Sequence, residues 1–162
     1  MKRKSSFPPV VRADTRLLIL GSLPGDRSLA EQRYYAHPRN LFWHLVGNVI
    51  GKDLQSLDYP ARLGALLAAR IGLWDTVASA TRAGSLDTAI REARHNELAE
   101  LATSLPELRA VGFNGQAAAR IGAPQLAAHG AALIPLPSSS PAHAAMSVAR
   151  KEQLWAILGE FL

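Results

Sequence analysis

Cysteine is absent from this 162-residue chain. That one absence excludes disulfides, thiolate zinc sites, a cysteine nucleophile and a cysteine-held iron–sulfur cluster. No apolar run is long enough to span a bilayer. The N-terminus, Met1 to Arg12, is basic but lacks the apolar stretch of a signal peptide, so a cytoplasmic protein without a membrane partner is expected. The five histidines (His37, His44, His95, His129 and His143) include no His-x-x-x-His pair, and no metal site is expected. No Ser/His/acid or lysine-nucleophile arrangement stands out. Neither the P-loop pattern nor G-x-G-x-x-G occurs, and no internal repeat or low-complexity segment is visible.

What is present has the balance of an ordinary globular protein, 48% hydrophobic and 19% charged. The length favours one domain with a real core. We expect residues 1–12 to form a loose basic arm carrying Lys2, Arg3 and Lys4, residues 13–162 to form a single domain, and the protein to be a monomer. The net charge of +5 and an isoelectric point near 10.1 suit a polyanion partner such as DNA.

The most informative stretch runs from Thr15 to Trp43. An apolar run, Leu17 to Leu20, stops at Gly21, and Gly21, Pro24 and Gly25 punctuate the loop that follows. This pattern predicts a buried parallel strand delivering a loop at its carboxyl end. In open α/β sheets that is the edge where ligands bind. Glycine-flanked loops also let backbone N–H groups approach a ligand closely.

Further along, Asn40–Ile50 suits a short helix with Asn40 at the N-cap position, and Pro60–Arg70 a second with proline in its first turn. Ile71–Ala80 reads as a second strand and Thr81–Arg94 is ambiguous, part loop. His95–Ser104 has helical spacing, Leu108–Phe113 is a third strand closed by Asn114-Gly115, and Gln116–Ile121 is a short helix. Ala131–Leu136 is a fourth strand running into Pro137-Ser-Ser-Ser-Pro141, which cannot be regular structure. Ser147–Leu162 is a last amphipathic helix with Val148, Trp155, Leu158 and Leu162 on one side. The alternation predicts a three-layer α/β/α sandwich around a four-stranded, mainly parallel sheet. The four carboxyl ends then gather Gly21–Gly25, Asp75–Ser79, Asn114-Gly115 and Pro137–Pro141 into one site.

Taken together, Gly21-Ser-Leu-Pro-Gly25, Tyr35-Ala-His-Pro-Arg-Asn40-Leu-Phe-Trp43 and Pro137-Ser-Ser-Ser-Pro141 resemble the uracil-DNA glycosylase superfamily. Mismatch-specific uracil-DNA glycosylases carry G-x-N-P-G, then F-A-H-P-x-N-x-F-W, then N-P-S-G-L-S. Leu23 stands where their catalytic Asn stands, so the usual water-positioning amide is missing from the first loop. The pattern G-S-x-P-G, Y-Y-x-H-P-x-N-x-F-W and P-S-x-S-P-A resembles more closely the branch described as hypoxanthine-DNA glycosylases. There the catalytic Asn is that of H-P-x-N, here Asn40.

The resemblance implies a cofactor-independent DNA glycosylase that hydrolyses the N-glycosidic bond of a flipped deaminated base, hypoxanthine first and uracil or xanthine next, leaving an abasic site. An amide can orient a water through its oxygen and donate from its NH2, and the motif contains no lysine for a Schiff-base lyase. Gly21, Ser22, Leu23, Pro24 and Gly25 would line the base pocket. Tyr35 would stack on the extruded base, with His37 nearby, while Asp75 or Asn114 would read its edge. Ser138, Ser139, Ser140 and His143 would meet the DNA backbone. Each has a plainer reading. Asn40 can be a helix cap, Tyr35 core, His37 a structural hydrogen-bonder, Asp75 a strand end and Asn114 a left-handed turn residue. Ser140 and His143 are poor apolar wedges, which leaves the residue that enters the duplex unassigned. A non-catalytic nucleic-acid or nucleotide-binding module on the same fold is the alternative.

Overall fold

A computed structural model describes residues 2–162, leaving only Met1 of the basic arm outside the described residues. At its centre β2 (Leu17–Gly21) is buried along its whole length. It pairs in parallel with β3 (Ile71–Asp75) on one side and β6 (Ala110–Asn114) on the other. Outside β6 lies β7 (Ala132–Leu136), also parallel. These strands read as continuous apolar runs because helices cover both faces of the sheet.

Alternate residues of β2 feed two cores, as strand geometry requires. Leu17 and Ile19 join Phe42 and Trp43 of α2 (Phe42–Ile50), Leu66 of α3 (Tyr59–Ala68) and Trp155 of α6 (Val148–Trp155). Leu18 and Leu20 face Leu98 of α4 (Leu98–Thr103) and Ala118 and Leu126 of α5 (Gln116–Leu126). The result is the expected three-layer sandwich. Capping sets the helix starts. Asp58 accepts from Ala61 N at 2.9 Å ahead of α3, and Ser147 from Arg150 N at 3.2 Å ahead of α6. After α6 the chain tightens into a 3-10 helix over Ala156–Phe161. Val148, expected on its buried side, is exposed. Pro135 sits in the edge strand, where a missing N–H is tolerated.

The expected second strand, Ile71–Ala80, is in fact two. At Thr76 the chain leaves the parallel sheet. Thr76 N donates to Gly21 O and Val77 N to Ser22 O, so pairing crosses to the first loop instead of continuing along β2. Beyond the break, β4 (Val77–Arg82) belongs to a second, antiparallel sheet. It pairs with β5 (Ile90–His95), which lies in the ambiguous stretch except for His95, expected in a helix, and with β1 (Arg3–Ser5). The arm expected to hang loose is therefore held as a strand. Lys4 Nζ donates to Asp26 Oδ1 at 2.6 Å and to Gly84 O at 2.7 Å, and Arg3 Nη2 to Glu92 O at 2.9 Å.

The fit of α5 on the sheet depends on Gly122. A Cβ there would lie 2.6 Å from Phe113 Cε1 and 3.1 Å from Thr76 Cγ2, and Phe113 is itself buried without room to swing. Gly122→Ala should therefore destabilise the fold by about 1–3 kcal/mol through overpacking, despite alanine's better helix propensity. Urea unfolding should show a lower midpoint with unchanged slope; an unchanged or higher midpoint would show that the ring gives way freely.

Candidate active site

The carboxyl ends of β2, β3, β6 and β7 open onto one cleft of about 720 Å³. Gly21–Gly25, Tyr35, His37, Asn40, Asp75, Asn114 and the Ser138–Ser140 loop all line it, with His143 beside them. Of the expected Asp75–Ser79 group only Asp75 contributes; Val77 and Ser79 follow β4 into the other sheet. One wall was not foreseen. Ser85 to Thr88, in the hairpin between β4 and β5, also line the cleft.

The first loop is stapled to that hairpin. Arg82, 1% exposed, donates from its guanidinium to Leu23 O, Pro24 O and Gly84 O. Burial lowers the pKa of this cation, and the carboxylates of Asp87, Asp26 and Asp75 counter the effect. Ser22 donates to Asp87 Oδ1 at 2.5 Å, and Asp26 N to Ser85 Oγ at 2.9 Å. Leu23 packs against Val77 and Ala80 and supplies no polar group to the cleft beyond its backbone.

At the floor, β2 must end in glycine. A Cβ on Gly21 would stand 2.7 Å from Asp75 Oδ1 and 3.1 Å from the Tyr35 hydroxyl. Asp75 is 3% exposed and its Oδ2 has no hydrogen-bond partner. Burial pushes its pKa up to about 7; the charge of Asp87 adds to the rise and Arg82 opposes it. The Tyr35 hydroxyl is also buried and without a partner. Its pKa is raised, first by burial and then by Asp75.

Tyr35 occupies left-handed backbone at φ 53°, a conformation a bulky residue adopts only under constraint. Two contacts supply that constraint. Its carbonyl accepts from Trp43 Nε1 at 3.1 Å, and its ring stacks on Phe42 with centroids 3.9 Å apart and planes 14° from parallel. Asn40 is half-buried. Its Oδ1 accepts from Phe42 N at 2.9 Å, bracing the chain as it enters α2, while its NH2 makes no hydrogen bond within the protein. His37 Nδ1 accepts from Arg39 N at 3.1 Å, which leaves the proton of the neutral ring on Nε2.

Asn114 and the serines take different positions from those expected. Asn114 spends both ends of its amide on Ser139, donating to Oγ and accepting from N, each at 2.9 Å. Ser139 is 1% exposed, so its hydroxyl cannot reach a backbone phosphate; the buried pair fixes the loop instead. Ser138 and Ser140 are half-buried, and their oxygens accept from Ser140 N and Ala142 N. Each hydroxyl hydrogen is thereby left to donate. Leu41 N donates to Ser139 O at 3.0 Å, which ties the serine loop to the Asn40 segment. His143 is carried by its carbonyl, which accepts from the buried Lys151 Nζ at 2.6 Å. No group of histidine, cysteine, aspartate or glutamate among the described residues could hold a metal ion.

Residues 8–161 match the family model of the uracil DNA glycosylase superfamily. The chain is 41% identical over 95% of its length, and 97% of the relative's, to a hypoxanthine DNA glycosylase of Methanosarcina acetivorans. It is 47% identical, over 70% of its length and 72% of the relative's, to one of Methanosarcina barkeri. A solution NMR structure from Methanosarcina acetivorans, provisionally named a uracil DNA glycosylase, superposes with a TM-score of 0.89 at 39% identity, covering 99% of both chains. The chain belongs to the uracil DNA glycosylase superfamily. It is a DNA glycosylase, a hydrolase of N-glycosyl bonds.

The elevated Asp75 pKa carries a sign that can be checked. An ordinary aspartate titrates near 3.9 when unfolded, whereas Asp75 titrates at about 7 when folded. Between those values the native state holds the extra proton, so stability is fullest below pH about 4 and is lost as pH rises through about 7. Asp75→Asn should abolish this component. Urea midpoints of the two proteins should diverge from pH 5 to pH 8, with the variant relatively more stable at pH 8; parallel curves would mean that Asp75 titrates normally.

Proposed function

We propose that this glycosylase releases hypoxanthine from DNA, with uracil and xanthine as secondary substrates, and that it acts as a monomer using water as the nucleophile. The observation that carries this reading is the convergence of Asn40, Tyr35 and Asp75 on one cleft. The hypoxanthine preference is supported by the names of the two Methanosarcina relatives, both hypoxanthine DNA glycosylases.

The glycosidic bond lies out of reach inside a stacked duplex, so the base must be extruded into the cleft. Tyr35, backed by Phe42, supplies aromatic surface to replace the lost stacking. The bases in question share a ring N–H beside a carbonyl. A protonated Asp75 can donate to that oxygen and accept from that N–H. Asn114 has one N–H and one lone pair taken by Ser139 and keeps the others, so it can read the base edge beside Asp75.

Bond cleavage builds oxocarbenium character on the sugar and negative charge on the departing base. Asn40 can take part because its amide is fixed. Phe42 N holds one lone pair of its oxygen; a carbonyl oxygen has a second, and both N–H donors are free. That combination can aim a water at the sugar carbon, while Nε2–H of His37 supplies a donor to developing charge. No lysine lines the cleft among the described residues, so no amine is at hand for a Schiff base, and the product is an abasic site. Ser138, Ser140 and the net positive charge serve phosphate contacts.

Duplexes carrying inosine, uracil or xanthine, incubated with the protein and then treated with alkali, should break fastest at inosine; preference for another base, or no breakage, would overturn the assignment. Asn40→Ala should lower single-turnover release of hypoxanthine by about 100-fold or more. Asn40→Asp keeps the acceptor for Phe42 N but loses the NH2, and should keep partial activity where Ala keeps little. Wild-type rates in folded Asn40→Ala would move the water to another residue.

Tyr35→Ala should lose turnover in proportion to a stacking contribution on the order of 1–3 kcal/mol. Tyr35→Phe should stay close to wild type, since it removes a hydroxyl that has no partner. Equal rates in all three proteins would take Tyr35 out of the base pocket.

A further inference from the structure

Base extrusion leaves a hole in the duplex, and the partner strand's base and the flanking steps tend to collapse into it. Proteins that distort DNA commonly fill such a gap with an apolar side chain. The loop after β7 is unsuited to this. Its tip offers Ser138, Ser140, Pro141 and His143, and Ser139 is buried.

The β4–β5 hairpin carries such a side chain at the cleft. Leu86 is 54% exposed, the most exposed large hydrophobic residue among those described, and it lines the cleft at the same time. Both of its sequence neighbours are anchored to the first loop. Ser85 Oγ accepts from Asp26 N at 2.9 Å, and Asp87 Oδ1 accepts from Ser22 at 2.5 Å. Beneath them Gly84 O takes hydrogen bonds from both Arg82 and Lys4. Ala89 N closes a turn on Leu86 O at 3.0 Å. Leu86 thus projects from backbone fixed on both sides, and it joins none of the apolar clusters, the hairpin's own apolar packing being that of Val77, Ala80 and Ile90 with Leu23. A turn at a free surface gains nothing from an exposed leucine; one at the mouth of a base-extruding cleft gains a plug.

We propose that Leu86 is the duplex wedge of this enzyme, entering the base stack beside the target nucleotide and holding the base in the cleft. The wedge then sits on the β4–β5 hairpin, which is tied to Ser22 of the first loop and to Asp26 just after it. Backbone anchored on both sides of Leu86 lowers the ordering cost of entering the stack. This inference rests on glycosylase activity, which the wild-type control tests separately.

The test compares Leu86→Ala with wild type on two inosine duplexes under single-turnover conditions. In one, cytosine stands opposite the lesion. In the other, a pyrene nucleotide stands there and displaces the target base without help from the protein. Leu86→Ala should slow release from the ordinary duplex by about 10-fold or more, as expected from unstacking costs of a few kcal/mol. The pyrene duplex should return the variant to within about 3-fold of wild type, and Leu86→Met should behave as wild type on both. Leu86 is exposed and its side chain supports no core, so folding is not at issue. A loss that pyrene fails to rescue would make Leu86 a wall of the base pocket, and no loss on the ordinary duplex would place the wedge elsewhere; either result overturns the proposal.

Discussion

The guanidinium of Arg82 is the interaction on which the working end of the molecule depends. It lies at the end of β4, is buried, and is held by carbonyls of Leu23, Pro24 and Gly84. A buried cation without a bidentate carboxylate is costly unless its donors are met, and truncating such a group typically costs several kcal/mol. Here the donors are met by backbone oxygens of two separate loops. Those carbonyls could satisfy themselves in water if the loops moved apart, so the cation is what makes the closed arrangement favourable. The loop after β2 and the hairpin that carries Leu86 and Asp87 are therefore one unit.

The same cation sets the electrostatics of the cleft floor. Asp75 and Asp87 are close enough that one raises the pKa of the other, and Arg82 acts against the rise. Neighbouring carboxylates ionise together only at a cost, and the cation offsets part of it. Asp87 Oδ1 accepts from the Ser22 hydroxyl, while Asp75 Oδ2 has no hydrogen-bond partner among the described residues. Burial remains the largest cause of the raised Asp75 pKa. A neutral acid in a dry floor offers both a donor and an acceptor, as an amide would. In the function proposed above, this gives amide-like recognition from a carboxyl group, provided that Gly21 leaves the gap between Asp75 and Tyr35 open.

Much of this was legible in the sequence, and the parts that were not share a cause. The four parallel strands could be read because burial on both faces makes them apolar throughout, and a parallel sheet fixes which edge receives the loops. The second sheet could not. Ile90-Arg-Glu-Ala-Arg-His95 has no apolar periodicity, since β5 is exposed on nearly all of its length and owes its conformation to pairing with β4. Likewise Thr76 gives no local sign that the chain changes sheets; the signal is a pair of hydrogen bonds to Gly21 and Ser22, more than fifty residues earlier. The part played by Asp87 arises from Ser22, 65 residues away. Asn114 was recognised as a site residue from its place at a strand end. Its commitment to Ser139 depends on a loop that composition marks only as irregular.

Asn40 shows why a structural and a functional reading of one residue need not compete. As a helix-entry residue it braces Phe42 N; as a site residue it must hold an amide still over the cleft. The first role accomplishes the second. A free asparagine side chain rotates, and a rotating amide positions nothing. Bonding its oxygen to the backbone of α2 fixes the plane of the amide and leaves the NH2 and one lone pair available. The neighbours extend the constraint. Phe42 packs against Tyr35, Trp43 holds the Tyr35 carbonyl, and Leu41 N grips the Ser139 carbonyl. Tyr35 and Asn40, which line the cleft, are thus fixed by residues that belong to the core. With Leu23 turned into an apolar cluster, this segment brings to the cleft an amide that a helix start locks in place with its NH2 left over.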